Sequence, residues 1–144
     1  MKHREFLSKL EHESIVQAIR DAEARTSGQI RVFVSHKAAP EALPAAQKQF
    51  DRLRMYKTKQ RNAVLIFVAP VSQTFAIVGD AGVHAKCGEA RWQAIASEMS
   101  THLKAGAFTT AIVHAIRRAG DLLAEHFPPN KDDRNELPDG VIDG

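Results

Sequence analysis

The stretch Ala63-Val64-Leu65-Ile66-Phe67-Val68-Ala69 contains no polar side chain and lies between Arg61-Asn62 and Pro70. A strand with one wet face would alternate apolar and polar residues; this one is apolar at every position. It therefore predicts a central strand covered on both faces. Extended to Val71, the run is still less than half the ~20 residues that a membrane-spanning helix needs, so no membrane span is expected.

The rest of the chain supplies the covering layers. From Phe6 to Arg25, apolar residues recur at helical spacing, and Thr26-Ser27-Gly28 predicts the stop. Gln29 to Ser35 is short and β-branched and predicts the first strand. Pro40 and Pro44 predict the opening of a second helix that ends near Tyr56 or Thr58. After the central strand, Pro70-Val71-Ser72-Gln73 predicts a tight link to an antiparallel strand over Thr74–Val78. Gly79-Asp80-Ala81-Gly82 breaks that strand. Two further helices are predicted, from Gly88 or Glu89 to Lys104 and from Phe108 to His126, with Gly106 between them and Pro128-Pro129 after them. The last fifteen residues show no core-forming pattern. The whole reads as an α/β fold, a three-layer α/β/α sandwich with a short mixed sheet and Rossmann-like layering. One domain is expected over residues 1–130, with an acidic tail at 131–144 that folds back on it.

Connection rules then place the polar loops. A helix crossover makes the first two strands parallel, so Gln29 and Asn62 start at one end of the sheet. The antiparallel third strand finishes there, at Asp80. A descending last helix returns Pro128 and the residues after it to the same end. Asp80, Asn62, Asn135, Glu136 and Gln29, with Asp133 as a secondary candidate, are therefore the expected ligands of a metal site. Carboxylate and amide oxygens suit calcium or another divalent cation, which takes about 6–8 oxygen ligands. The competing reading is that these Asp and Asn residues cap helices and close turns. A zinc site would want several imidazoles or thiolates, and the seven histidines form no His-Glu-x-x-His pattern. His102 and His114 flank the turn between the last two helices. Trp92 is spaced as a core residue. Cys87, the only cysteine, reads as a buried thiol beside Lys86 and can form no internal disulfide. No Gly-x-Ser-x-Gly elbow or P-loop is present.

The net charge is +3 but unevenly spread. Lys48, Arg52, Arg54, Lys57, Lys59 and Arg61 share their stretch with Asp51 alone, whereas the tail is acidic. That basic face can serve an acidic protein partner or stabilise phosphate charge. Nucleic acid is not favoured, because no aromatic-rich motif accompanies the charge. No signal peptide is read at the N-terminus, and a cytoplasmic location is expected.

Several segments together resemble the TPM domain family, whose members include a thylakoid-lumen protein of photosystem II repair. They are Thr26-Ser27-Gly28-Gln29-Ile30-Arg31-Val32, Thr58-Lys59-Gln60-Arg61-Asn62-Ala63-Val64-Leu65-Ile66, Gly79-Asp80-Ala81-Gly82-Val83, Trp92, His126-Phe127-Pro128 and Asn135-Glu136-Leu137-Pro138-Asp139. The resemblance implies an α/β/α sandwich, a calcium site in the loop cluster and, in the plant branch, acid phosphatase activity. Two departures stand out. Gln29 occupies a position where the family commonly has glutamate, and the signal peptide and membrane anchor that many members carry are not read in these 144 residues.

Overall fold

The computed structural model describes residues 1–129 and 140–144. Six helices and four strands are found among them: α1 (His3–Ser8), α2 (His12–Glu23), β1 (Gln29–Val34), α3 (Ala42–Arg52), β2 (Ala63–Ala69), β3 (Thr74–Gly79), α4 (Ala81–Cys87), α5 (Glu89–Lys104), α6 (Phe108–His126) and β4 (Val141–Asp143). The strands form one sheet in the order β3-β2-β1-β4. β1 runs parallel to β2 with Gln29 opposite Ala63 and Val34 opposite Val68, and β3 runs antiparallel to β2 with Val64 opposite Gly79. The starts of β1 and β2 and the finish of β3 define the lower end of the sheet.

Every residue of β2 is buried, as its unbroken apolar composition requires. Val64, Ile66 and Val68 join Ile30, Val32 and Val34 in a core with α2, α5 and α6. Leu65, Phe67 and Ala69 face the other way, with Phe33, and pack against Ala46, Phe50 and Met55. The sheet is thus sandwiched between helical layers. Close approach of α2 to α6 depends on Gly120, where an added Cβ would lie 2.8 Å from the Cβ of Ala22.

Four details depart from the sequence expectations. The first helix is two, broken between Ser8 and His12. The five-residue step from Leu10 to Ile15 loses helical phase, and the chain turns to keep both side chains in the core. The second helix stops at Arg52 because Arg54 is left-handed (φ 56°); the buried Met55 that mimicked a further turn belongs to a 3₁₀ segment. The Gly79–Gly82 break opens α4, whose Val83 and Cys87 are buried four residues apart. Finally, Val141–Asp143 adds a strand beside Val32–Val34. Three residues are too few to show a strand period. Below β4, the open edge of β1 is partly served by Glu23, whose carboxylate accepts the Ile30 N–H at 2.9 Å.

α5 and α6 are pinned side by side by a polar cluster. Glu98 accepts from His114 Nε2 at 2.8 Å and from Arg118 Nε at 3.0 Å. The rings of His102 and His114 lie 5.3 Å apart. The hydrogen bond from His114 holds the Glu98 carboxyl below the usual carboxylate range, with Arg118 adding to the effect against a desolvation penalty. A depressed folded-state pKa contributes stability above the unfolded value of about 4.3 and loses it as pH falls through the folded value. Glu98→Gln is therefore expected to flatten the acid limb of a thermal-melt profile below about pH 4. Melting curves of both proteins across that range check this; parallel acid limbs would show that the cluster carries no such linkage.

Candidate metal centre

Buried polar residues are concentrated at the lower end. Eight polar or charged side chains are buried among the described residues, and six of them, Thr26, Ser27, Gln29, Thr58, Asn62 and Asp80, lie there. Each is placed by a strand end or the loop feeding it. Gln29 N donates to Asn62 O at 3.4 Å where the parallel pair begins, and Asp80 N donates to Ala63 O at 3.0 Å where the hairpin closes. The last helix arrives at the same place: Ser27 N donates to Phe127 O at 2.9 Å, and the Thr26 hydroxyl donates to the same carbonyl.

Ser27 organises the middle of the cluster. Its Oγ accepts from Asn62 Nδ2 at 3.2 Å and from Gln60 Nε2 at 3.0 Å. Thr58 Oγ1 accepts from the Asn62 backbone N–H at 3.2 Å. With the Asn62 nitrogen committed to Ser27, its amide orientation is set.

Asp80 is the one acid among the buried polar residues. Its Oδ1 accepts the Ala81 N–H at 2.7 Å and so caps α4. The same carboxylate receives a two-pronged contact from Arg61, Nε to Oδ2 at 2.6 Å and Nη2 to Oδ1 at 2.8 Å. The hydrogen bond and the charge of Asp80 raise the guanidinium pKa further. Arg61 itself is half exposed and has a left-handed backbone (φ 52°), which turns its side chain back over Asp80. A flexible cation at the surface therefore covers a fixed anion beneath it.

The structure brings Gln29, Asn62 and Asp80 to one end of the sheet. Asp133, Asn135 and Glu136 lie outside the described residues. Ser27 and Gln60 are members that sequence reasoning did not place in the site; Arg61 was expected here as a cation for phosphate charge, not as the partner of Asp80. Their signal was their position at the feet of β1 and β2, because any polar residue there must satisfy main-chain or side-chain partners. In donor type, a carboxylate with amide and hydroxyl oxygens matches a hard cation. In charge, Asp80 is offset by Arg61, and Gln29 adds none. The described residues thus match a hard cation in donor type, while their one buried carboxylate is already paired. Cys87 has no part in this: burial pushes its thiol pKa up, more than the nearby Arg91 lowers it. Trp92 is buried in the core.

Gly82 sets the tightness of the loop over the site. It donates to Arg61 O at 2.9 Å, and an added Cβ would stand 2.3 Å from Gln60 O and 2.8 Å from Arg61 O. Gly82→Ala must push the Gln60–Arg61 backbone away, and a loss of about 1–3 kcal/mol is expected by analogy with overpacked cores. Urea unfolding measures it; an unchanged midpoint would mean that the loop yields freely.

Comparison with known proteins places this arrangement. The chain superposes on the NMR structure of BA42 from the psychrophilic bacterium Bizionia argentinensis with a TM-score of 0.86, at 39% identity, over 93% of this chain and 92% of BA42. It also matches the solution structure of the N-terminal domain of a P. gingivalis protein, with a TM-score of 0.58 at 14% identity over 79% and 76% of the two chains, a likeness of fold alone. No match is found among curated proteins. The TPM domain model matches residues 1–122, and the chain belongs to the TPM domain family.

Proposed function

We propose that this TPM domain binds a divalent cation, calcium in the first instance, at the lower end of its sheet. The supporting observation is the buried Asp80 carboxylate, at the same end of the sheet as the buried Asn62, Ser27 and Gln29 and covered by a half-exposed Arg61. Asp80 anchors the ion, Asn62 and Gln29 supply amide oxygens, and Asp133, Asn135 and Glu136 complete the set. The metal contributes positive charge; the chain's part is to exchange one cation, Arg61, for another. Buried carboxylates are rarely left unpaired, so Arg61 holds the site shut until its place is taken.

The arrangement yields two opposite expectations. Asp80→Asn is expected to weaken calcium binding at least tenfold. Arg61→Ala is expected to strengthen it, because the competing guanidinium is gone. Calorimetric titration with melting curves in calcium and in chelator reads both. A protein that shows neither heat nor a melting shift in calcium, or an Arg61→Ala protein that binds more weakly, would overturn the proposal.

A second reading, metal-assisted acid phosphatase chemistry, draws on family membership and on the exposed Lys57 and Lys59 beside Arg61. In it, Asp80 holds the ion and these cations stabilise phosphate charge. Asp80→Asn is then expected to abolish hydrolysis of p-nitrophenyl phosphate; undiminished turnover would remove Asp80 from the reaction. An acidic protein partner for the basic stretch from Lys48 to Arg61 is compatible with either reading.

A further inference from the structure

The upper end of the sheet gathers a different set of donors. His3 opens α1, His36 follows the upper end of β1, and Asp143 ends β4. Their ligand atoms lie within 4.8 Å of one another. His3 Nε2 is 2.5 Å from Asp143 Oδ1, and His36 Nε2 is 3.1 Å from the same oxygen. The two imidazole rings lie against each other with centroids 3.6 Å apart. Main-chain bonds hold the ligands in place: His36 N donates to Gly144 O at 2.6 Å, and Gly144 N donates to Val34 O at 3.1 Å.

His3 is the anomaly. It is only 7% exposed, and neither ring nitrogen has a hydrogen-bond partner among the described residues. The short approach to Asp143 is within ion-pair distance but is not aligned as a hydrogen bond. A buried imidazole with both nitrogens unsatisfied is costly. A shared ion relieves the Nε2 part of that cost by taking its lone pair directly.

We propose that His3, His36 and Asp143 form a binding site for a borderline divalent transition ion of the zinc class. Two imidazoles and a carboxylate are the donor set such ions favour, whereas calcium and magnesium prefer all-oxygen surroundings. Tetrahedral bonds of about 2.0–2.1 Å put neighbouring ligand atoms about 3.3 Å apart, so the two contacts to Asp143 need to open by a few tenths of an ångström to about 0.8 Å, while the two histidine nitrogens, within 4.8 Å of each other, settle to the same spacing. His36 and Asp143 are each more than half exposed, which gives the ion a path in and leaves a fourth position to water. The site is separate from the lower end in position and in donor chemistry. It joins α1, β1 and β4, so an ion there ties both terminal segments to the sheet.

The test uses the full, tag-free chain titrated with cobalt(II), followed by its visible absorption, and then with zinc in competition with a chromophoric chelator. One equivalent is expected to bind at micromolar or tighter affinity and to raise the melting temperature. His36→Ala and Asp143→Asn alter exposed side chains and are expected to fold normally by circular dichroism while weakening binding at least tenfold. Asp80→Asn is expected to leave zinc binding unchanged, and excess calcium is expected not to displace the ion. The proposal is overturned if wild type binds neither ion, if both upper-end variants bind as wild type does, or if Asp80→Asn abolishes zinc binding. Failure of calcium binding at the lower end would leave these outcomes readable, because none of them depends on it.

Discussion

The parallel pairing of β1 with β2 is the constraint from which the other features follow. Both strands are buried almost throughout, so a slip of one residue would exchange the side chains meant for the α3 layer with those meant for the α2–α6 layer. That locks the register at Gln29 opposite Ala63. Parallel strands cannot be joined by a hairpin, so α3 must cross over, and both strands must begin at one end. The buried polar residues at the lower end are a consequence. Main-chain groups entering a fully covered sheet need partners where the ladder starts, and Thr26, Ser27, Thr58 and Asn62 provide them.

Asp80 differs from its neighbours because hydrogen bonding alone does not satisfy it. Capping α4 uses one lone pair of a carboxylate that the sheet and α4 keep out of water. The remaining charge requires a counter-charge, and Arg61 supplies it from a residue whose left-handed backbone is itself unfavourable for a side chain of this kind. A glycine there would turn the chain more easily but would leave the Asp80 carboxylate without that counter-charge, so the arginine has a structural reason of its own.

The architecture was readable because it is written in long patterns. The apolar run through Ile66, the helical spacings of α5 and α6 and the turn at Gly106 each extend over enough residues to distinguish a period. What was missed is short or locally contradicted. β4 has three residues. α4 carries Gly82 in its first turn, a poor helix former that is there for the close approach to Gln60 and Arg61. The candidate centre was legible to the extent that topology decides it: Gln29, Asn62 and Asp80 are at strand ends, and strand ends are placed by connection rules. The Arg61–Asp80 contact was not, because it depends on a left-handed φ at a residue with no sequence mark of it. Nor was the meeting of His3 with His36, which share no spacing and are brought together only when β4 is added to the edge of β1.

The two ends of the sheet are chemically unlike, and this has a physical root in how each is built. At the lower end, strands begin and helices arrive, so unpaired main-chain groups attract short hydroxyl, amide and carboxylate side chains, which are hard oxygen donors. At the upper end, α1 and the loop after β1 fold over the sheet, and imidazoles can be half apolar surface and half ligand. Ions would sort between the ends by hardness rather than by affinity alone. One stretch of chain connects them. It leaves the lower end at Phe127 and regains the sheet at Val141, beside Val32, with Asp133, Asn135 and Glu136 in between.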